Sequence, residues 1–376
     1  MIVPTFALDG PVAHPSAASC ALLRRLPAVV VVGLPGVTAR ETTERLRASL
    51  TFCGWEWPRQ RVELAVERAG DASTAMDLPL AVTLLVESEQ LAPAPLAGLA
   101  FYGELSLSGE VRGVRGTVAA AQAAAAAGQV LVTGPGPGAD LASRLGLPVA
   151  VLRSLGELRE GAPVRYTTTG FACATMLDIA DLRAQDASIP DRLVEAARTR
   201  APLLLVGPPG CGKTMLAARL GSILPTLTAA EDREICARHE AVGIPPLAGG
   251  FRPFRAPHHT ISTVGLVGRP GSEGSYRKLG EIDLAHEGVL LLDEVNEFPR
   301  ATLETLGHAL MEPGRRVWLV VAVSIENERD EERLARQLRA LKIKPDPIPL
   351  RYIPHGEVVS GEWPSSKALR ARVEAA

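Results

Sequence analysis

At 376 residues with an apolar fraction of 47%, the chain can bury two ordinary domain cores, which excludes a largely disordered protein. Its 40 basic and 42 acidic residues leave a net charge of -2, so no global field draws it to nucleic acid or to an anionic membrane; any such binding has to be local or created by assembly. The five cysteines (Cys20, Cys53, Cys173, Cys211, Cys236) are odd in number and free of CxxC spacing, which speaks against a disulfide framework or a zinc site and for a reducing cytoplasm.

The opening MIVPTFALDGPVAHPSAASC has no basic stretch followed by an apolar core. No later run nears the roughly 18 apolar residues of a spanning helix. An unexported, cytoplasmic protein without membrane association is expected. In chain order, PAVVVVG (Pro27 to Gly33) reads as a buried strand, and Ala39 to Leu50 carries apolar residues at helical spacing. RVELAVE (Arg61 to Glu67) reads as a strand and MDLPLAVTLLVES as a buried helix. Gly103 to Gly116 alternates like a hairpin with glycine turns, and alanine-rich Val118 to Ala127 predicts another helix. QVLVTG and LPVAVL add short strands, and the polar, turn-rich Arg159 to Thr169 reads as a linker. The first domain is placed at residues 1–165.

The second domain, 166–316, opens with the amphipathic helix IPDRLVEAARTR and the strand APLLLVG, followed by a glycine-rich turn and a helix. In that setting Gly207, Pro208, Pro209, Gly210, Cys211, Gly212, Lys213 and Thr214 match G-x-x-x-x-G-K-[ST] in full. Glycines let successive backbone N–H groups face inward as an anion nest. Lys213 is expected to reach the β and γ phosphates of ATP, and the Thr214 hydroxyl to ligate Mg²⁺. Lysine usage agrees: 35 of the 40 basic residues are arginine, and Lys213 is the first lysine of the chain. A position that keeps lysine in such a chain calls for a compact ammonium. About eighty residues on, GVLLLDEVNEF ends a buried strand in Asp293 and Glu294. Asp293 is expected to hold the Mg²⁺ shell and Glu294 to polarise the attacking water as the catalytic group.

GPPGCGKTMLAARL, RPFRAPHHTIS, GEIDLAHEGVLLLDE and LDIADLRAQ (Leu177 to Gln185) resemble the magnesium-chelatase-like AAA+ ATPases, in particular the ComM/YifB branch. VVGLPGVTARETTERLRASL, MDLPLAVTLL and YGELSLSGEVRGVRG are similar to that branch's N-terminal domain, and the resemblance runs from about residue 20 to about residue 315. It implies an α/β fold: an N-terminal Lon-protease-like (ribosomal S5 domain 2-like) domain, then a P-loop NTPase (AAA+) domain. It also implies a homo-oligomeric ring, hexameric in relatives, acting on DNA by branch migration or as a helicase in recombination and natural transformation. A Lon-type peptidase needs a serine paired with a lysine. Residues 1–212 contain no lysine, Val118 stands where it is expected, and Ser73 and Thr74, near the nucleophile's place, have no base. The domain is therefore expected to lack the Ser-Lys dyad.

FRPFRAPHHTIS (Phe251 to Ser262) holds adjacent histidines. On a strand His258 and His259 would point to opposite faces, and no neighbouring ligand set accompanies them. Arg252 and Arg255 could face a neighbouring subunit's nucleotide or a threaded nucleic acid strand; packing of a proline-rich turn is the alternative. His286 reads as a hydrogen-bonding residue near the acidic strand.

The resemblance fades after LETLGHALMEPGRR, and residues 317–376 are expected to form a divergent C-terminal tail without a recognisable helical lid. Asn327 follows a strand (Val317 to Val323) and is a candidate for the family's sensor asparagine, though close to Asp293. Arg315, Arg316 and Arg333 are candidates for the arginine finger. Two readings compete with the DNA motor: a magnesium-chelatase-type motor subunit that remodels a protein, and an ATP-binding protein without hydrolysis.

Overall fold

The computed structural model describes residues 2–70, 73–161, 163, 166, 177–182, 188–244, 250, 252–271, 277–350 and 363–375. Cys173, Phe251, most of the Arg159–Thr169 linker and the end of the LDIADLRAQ motif lie outside them. The chain divides into two units, the first made of 1–171, 236–246 and 271–276, the second of 172–235, 247–270 and 277–376. Among the described residues no helix is long and apolar enough to cross a membrane.

The first unit begins with β1 (Ile2–Asp9) and β2 (Val12–Leu23), an antiparallel pair that the sequence reading missed. Pro4 and Pro15 obscure both strands. Pro4 is tolerated because β1 is an edge strand, and Pro15 because β2 pairs with its other neighbour only from Ala18 onward. β3 (Val29–Val32), α1 (Gly36–Phe52) and β4 (Arg61–Val66) follow, giving a sheet ordered β1-β2-β4-β3 with β3 parallel to β4. Gly33 (φ 89°) links β3 to α1, and a side chain there would overlap the Val66 carbonyl oxygen. α2 (Asp77–Glu87) is apolar and buried on all sides, as predicted from MDLPLAVTLLVES.

β5 (Leu99–Phe101) precedes the short β6 (Glu104–Leu105) and β7 (Val111–Arg112) of the expected hairpin. Then come α3 (Thr117–Ala126), β8 (Val130–Thr133), α4 (Pro137–Arg144) and β9 (Val149–Val151), with β5, β8 and β9 forming a parallel sheet. Val118 is fully buried in the first turn of α3.

The second unit contains α5 (Ile189–Thr199), β10 (Leu203–Val206), α6 (Lys213–Ala217) and α7 (Ala229–Ala241), although the residues of α7 from Cys236 onward belong to the first unit. It continues through β11 (Phe254–Arg255), α8 (Thr263–Val267), α9 (Glu281–Leu284), β12 (Val289–Leu292), α10 (Arg300–Leu310), β13 (Trp318–Val323), α11 (Glu328–Leu341), β14 (Asp346–Pro349) and α12 (Ser366–Glu374). The five strands are parallel, in the order β11-β12-β13-β10-β14. Alternate residues feed two cores: Leu203, Leu205, Leu291 and Val320 pack with α5 and α12 on one face, and Leu290, Leu292, Leu319 and Val321 with α10 and α11 on the other. Residues 317–376, expected as a divergent tail, thus contribute two strands and two helices to this unit. The uninterrupted apolar run Trp318–Val323 is its central strand.

Segment 236–246 of the first unit carries Glu240 onto the start of α3, where its buried carboxylate accepts the N–H groups of Gly116 (2.7 Å), Thr117 (3.3 Å) and Val118 (3.4 Å). Helix first turns leave such donors unpaired, and an anion satisfies them. Burial outweighs these bonds and pushes the Glu240 carboxyl up to about 7, with Arg115 pulling the other way. The folded state therefore holds this proton more tightly than the unfolded chain. Its stabilisation is complete below the ordinary carboxylate range and is lost as pH rises through about 7. Thermal melting is expected to fall across that window by up to about 1.4 kcal/mol per pH unit from this group, and Glu240→Gln to flatten the slope; equal slopes would remove Glu240 from the titration.

Candidate functional site

β10 delivers the chain into Gly207–Thr214 at the carboxyl edge of the parallel sheet, where open α/β sheets bind ligands. Gly210 (φ 77°) and Gly212 (φ 93°) lie in the left-handed region, which opens the loop in a way that larger residues resist. At Gly207 a side chain would run into the Leu350 carbonyl oxygen and the Cys211 sulfur, so the loop's first glycine is needed for packing.

Lys213 is only 6% exposed. Its ammonium donates to Gly207 O (2.9 Å), Pro208 O (3.2 Å) and Ser324 Oγ (2.9 Å), which satisfies all three protons. Next to it, Thr214 Oγ1 donates to Asp293 Oδ2 at 2.7 Å. The predicted acidic pair splits in two directions. Asp293 turns toward Thr214, whereas Glu294, at φ 47°, turns its carboxylate to Ser324. Ser324 donates its N–H to Glu294 Oε2 (3.0 Å) and its hydroxyl to Oε1 (2.7 Å), and Lys213 Nζ lies 3.8 Å from Oε1. Lys213, Thr214, Asp293 and Glu294, far apart in sequence, thus converge with one side chain that sequence reasoning missed.

Ser324 directly follows β13, the strand between β10 and β12. The signal available in the sequence was a small polar residue directly after the apolar run VWLVVAV. Asn327 instead serves as the N-cap of α11, accepting the N–H groups of Arg329 (3.0 Å) and Asp330 (3.2 Å).

The FRPFRAPHHTIS segment divides. Arg252 is buried, donating to Pro225 O (2.6 and 2.8 Å), Glu287 O (2.7 Å) and the Glu287 carboxylate (3.1 Å). These partners lie within the chain: Glu287, fully buried, gathers Arg200, Arg252 and Arg316 around one carboxylate. Arg255 forms a two-pronged pair with Glu281 (2.5 and 2.8 Å). β11 ends at Arg255, so His258 and His259 are not on a strand and do not diverge: their rings lie 4.0 Å apart, and His258 Nδ1 meets Thr260 Oγ1 at 2.9 Å. His286 is buried, 3.3 Å from Glu234, with its Nδ1 facing the Arg316 N–H. Of the finger candidates, Arg315 pairs with Asp283 and Glu312, Arg316 with Glu231 and Glu287, and Arg333 with Glu297.

A parallel sheet in this order, with a glycine loop ending β10 and an acidic pair ending β12, is a P-loop ATPase-like fold. The family described as "Magnesium chelatase, subunit ChlI" matches residues 178–318, and that described as "Subunit ChlI of Mg-chelatase" matches residues 19–134. The chain is 34% identical over 319 residues to the uncharacterized protein YifB of Escherichia coli (strain K12), covering 81% of this chain and 61% of that one. It is 36% identical over 315 residues to YifB of Salmonella typhimurium (81% and 61%), and 34% identical over 299 residues to the competence protein ComM of Haemophilus influenzae (76% and 58%). The chain belongs to the ComM/YifB magnesium-chelatase-like family. It spans about three fifths of the length of these relatives.

Removing one partner of a buried ion pair strands the other. Arg252→Ala is expected to cost on the order of 3 kcal/mol in urea unfolding; Arg255→Ala, whose pair is only partly buried and so reached by solvent, is expected to cost less, about 1 kcal/mol. An Arg252 variant of undiminished stability would show that the cluster is not structural.

Proposed function

We propose that this chain is an ATP-binding AAA+ ATPase of the ComM/YifB type that works as a DNA-associated motor in a homo-oligomeric ring. The observation that carries this reading is the convergence of Lys213, Thr214, Asp293 and Glu294 at one edge of the sheet. In it, the loop Gly207–Thr214 cradles the phosphates, and Lys213 exchanges its neutral acceptors for β and γ oxygens, a stronger charge-assisted pairing. Thr214 Oγ1 and Asp293 Oδ2, hard oxygen donors 2.7 Å apart, suit Mg²⁺ and would hold it. Bound there, Mg²⁺ would neutralise charge developing on the phosphates. Glu294 accepts the proton of the attacking water.

The first unit we read as a Lon-protease-like domain without peptidase chemistry, since Val118 occupies the lysine's place and residues 1–212 hold no lysine. The DNA and competence roles come from the resemblance and from the name of the Haemophilus relative; remodelling of a protein partner is the competing substrate. A further alternative, nucleotide binding without hydrolysis, draws on Glu294 being held by Ser324 and not pointing freely into the cradle.

Lys213→Ala is expected to weaken ATP binding roughly 10- to 100-fold, the loss of a charged hydrogen-bond donor. Glu294→Gln is expected to keep binding and lower turnover by about 100-fold or more. Single-stranded DNA should accelerate turnover of the unsubstituted chain. Stimulation by a protein and not by DNA would favour the remodelling reading, and unchanged binding in Lys213→Ala would overturn all of them.

A further inference from the structure

We propose that the outer edge of β3 is a pairing surface for a second copy of this chain, with the two β3 strands running antiparallel about a two-fold axis at Val30. The inference is independent of the nucleotide site and stands on the first unit alone.

β3 pairs with β4 on one side, and no strand pairs with its other side among the described residues. The Ala28 carbonyl accepts the Val62 N–H at 2.9 Å, so alternation along the strand turns the N–H and C=O groups of Val29 and Val31 outward. Sheets guard such edges with charge, proline or a bulge. The opposite edge of this sheet has Pro4 in β1, and β14, at an edge of the second unit's sheet, has Pro347 and Pro349. β3 is four valines. Exposed apolar residues continue past both of its ends, Leu26 at 87% before it and Val37 at 72% after it, and Val32 itself is 59% exposed. An apolar edge with open backbone groups fits an extended, uncharged strand.

β3 itself meets that description, and an antiparallel arrangement makes the edge complementary to its own copy. In a pair centred on Val30, Val29 and Val31 exchange both backbone bonds with Val31 and Val29 of the second copy. Val30 then lies opposite Val30 of the copy, and Ala28 opposite Val32, which sets the exposed Leu26 of each chain next to Val32 of the other. Charge agrees with this direction. Arg24 and Arg25 are exposed at the amino end of the edge, whereas Glu41 and Glu44, with Arg40, are exposed on the helix that leaves its carboxyl end. Antiparallel pairing brings these unlike ends together; a parallel pair would set the four arginines side by side. The contact joins copies two at a time, so it differs from the head-to-tail contacts that close a ring.

Val31 packs against the first unit's core, and alternation puts Val30 on the opposite face, where a charge leaves that core intact. The test is sedimentation velocity on the 376-residue chain without nucleotide or DNA, beside Val30→Lys, Val30→Glu and an equal mixture of the two. The unsubstituted chain is expected to sediment at twice the mass of either variant alone, because like charges meeting at the axis weaken association at least roughly tenfold. The mixture is expected to recover the doubled mass, since opposite charges then face each other. Val29→Pro, which removes only an outward N–H at the first residue of the strand, is expected to halve the mass as well and covers the case in which a charge at Val30 unfolds the unit. An unsubstituted chain whose mass no substitution halves overturns the proposal and assigns the edge to another occupant. A mixture of folded Val30 variants that stays apart overturns the antiparallel pairing about Val30.

Discussion

Burial of β13 between β10 and β12 is the constraint on which the second unit depends. All six residues from Trp318 to Val323 are buried, with Trp318 Nε1 anchored to the Ala201 carbonyl oxygen at 2.9 Å. Neighbouring strands lie about 4.8 Å apart, so one intervening strand sets the gap between the phosphate loop and the acidic pair at about 10 Å of backbone. Side chains reaching inward from both sides can then meet over the end of the middle strand. The residue at that end is Ser324, which is why a serine outside every recognised motif touches both Lys213 and Glu294.

β12 carries acidic groups at both of its ends, and exposure separates their roles. Before its amino end, Glu287 is fully buried under three arginines, and the result is a closed, structural cluster. After its carboxyl end, Asp293 and Glu294 are half-buried, and their hydrogen bonds come from small neutral donors: the Thr214 hydroxyl and the Glu294 N–H to Asp293, and the N–H and hydroxyl of Ser324 to Glu294, with the Lys213 ammonium 3.8 Å away. Charges neutralised by buried guanidinium groups resist exchange. Carboxylates held by hydroxyls, beside an ammonium that rests on loop carbonyls, can change partners when a stronger ligand arrives.

Much of this was legible in the sequence where period and motif agreed. The phosphate loop stood out because a strand preceded it and a helix followed, and the runs at α2, β12 and β13 are apolar enough to declare burial; β3, read as buried for the same reason, is an edge strand with no buried residue and Val32 exposed. The opening strands were hidden by Pro4 and Pro15, whose tolerance depends on which edge each strand presents. Arg252 looked available because an arginine's partner cannot be read locally; Glu287 is 35 residues away. Ser324 was invisible for a related reason: its role comes from strand order, which places β13 between two strands that precede it in the chain. Lost similarity after Arg316 likewise concealed that the residues beyond the strand at Trp318–Val323 add two helices and an edge strand to the same unit.

The most direct measurement is calorimetric titration of the 376-residue chain with ATP, with and without Mg²⁺. Saturable binding at one site per chain, strengthened by Mg²⁺, is the predicted result, because the loop supplies the phosphate cradle while Thr214 and Asp293 supply the cation's oxygens. No saturable heat, or binding indifferent to Mg²⁺, would contradict the assignment of these residues to a nucleotide site.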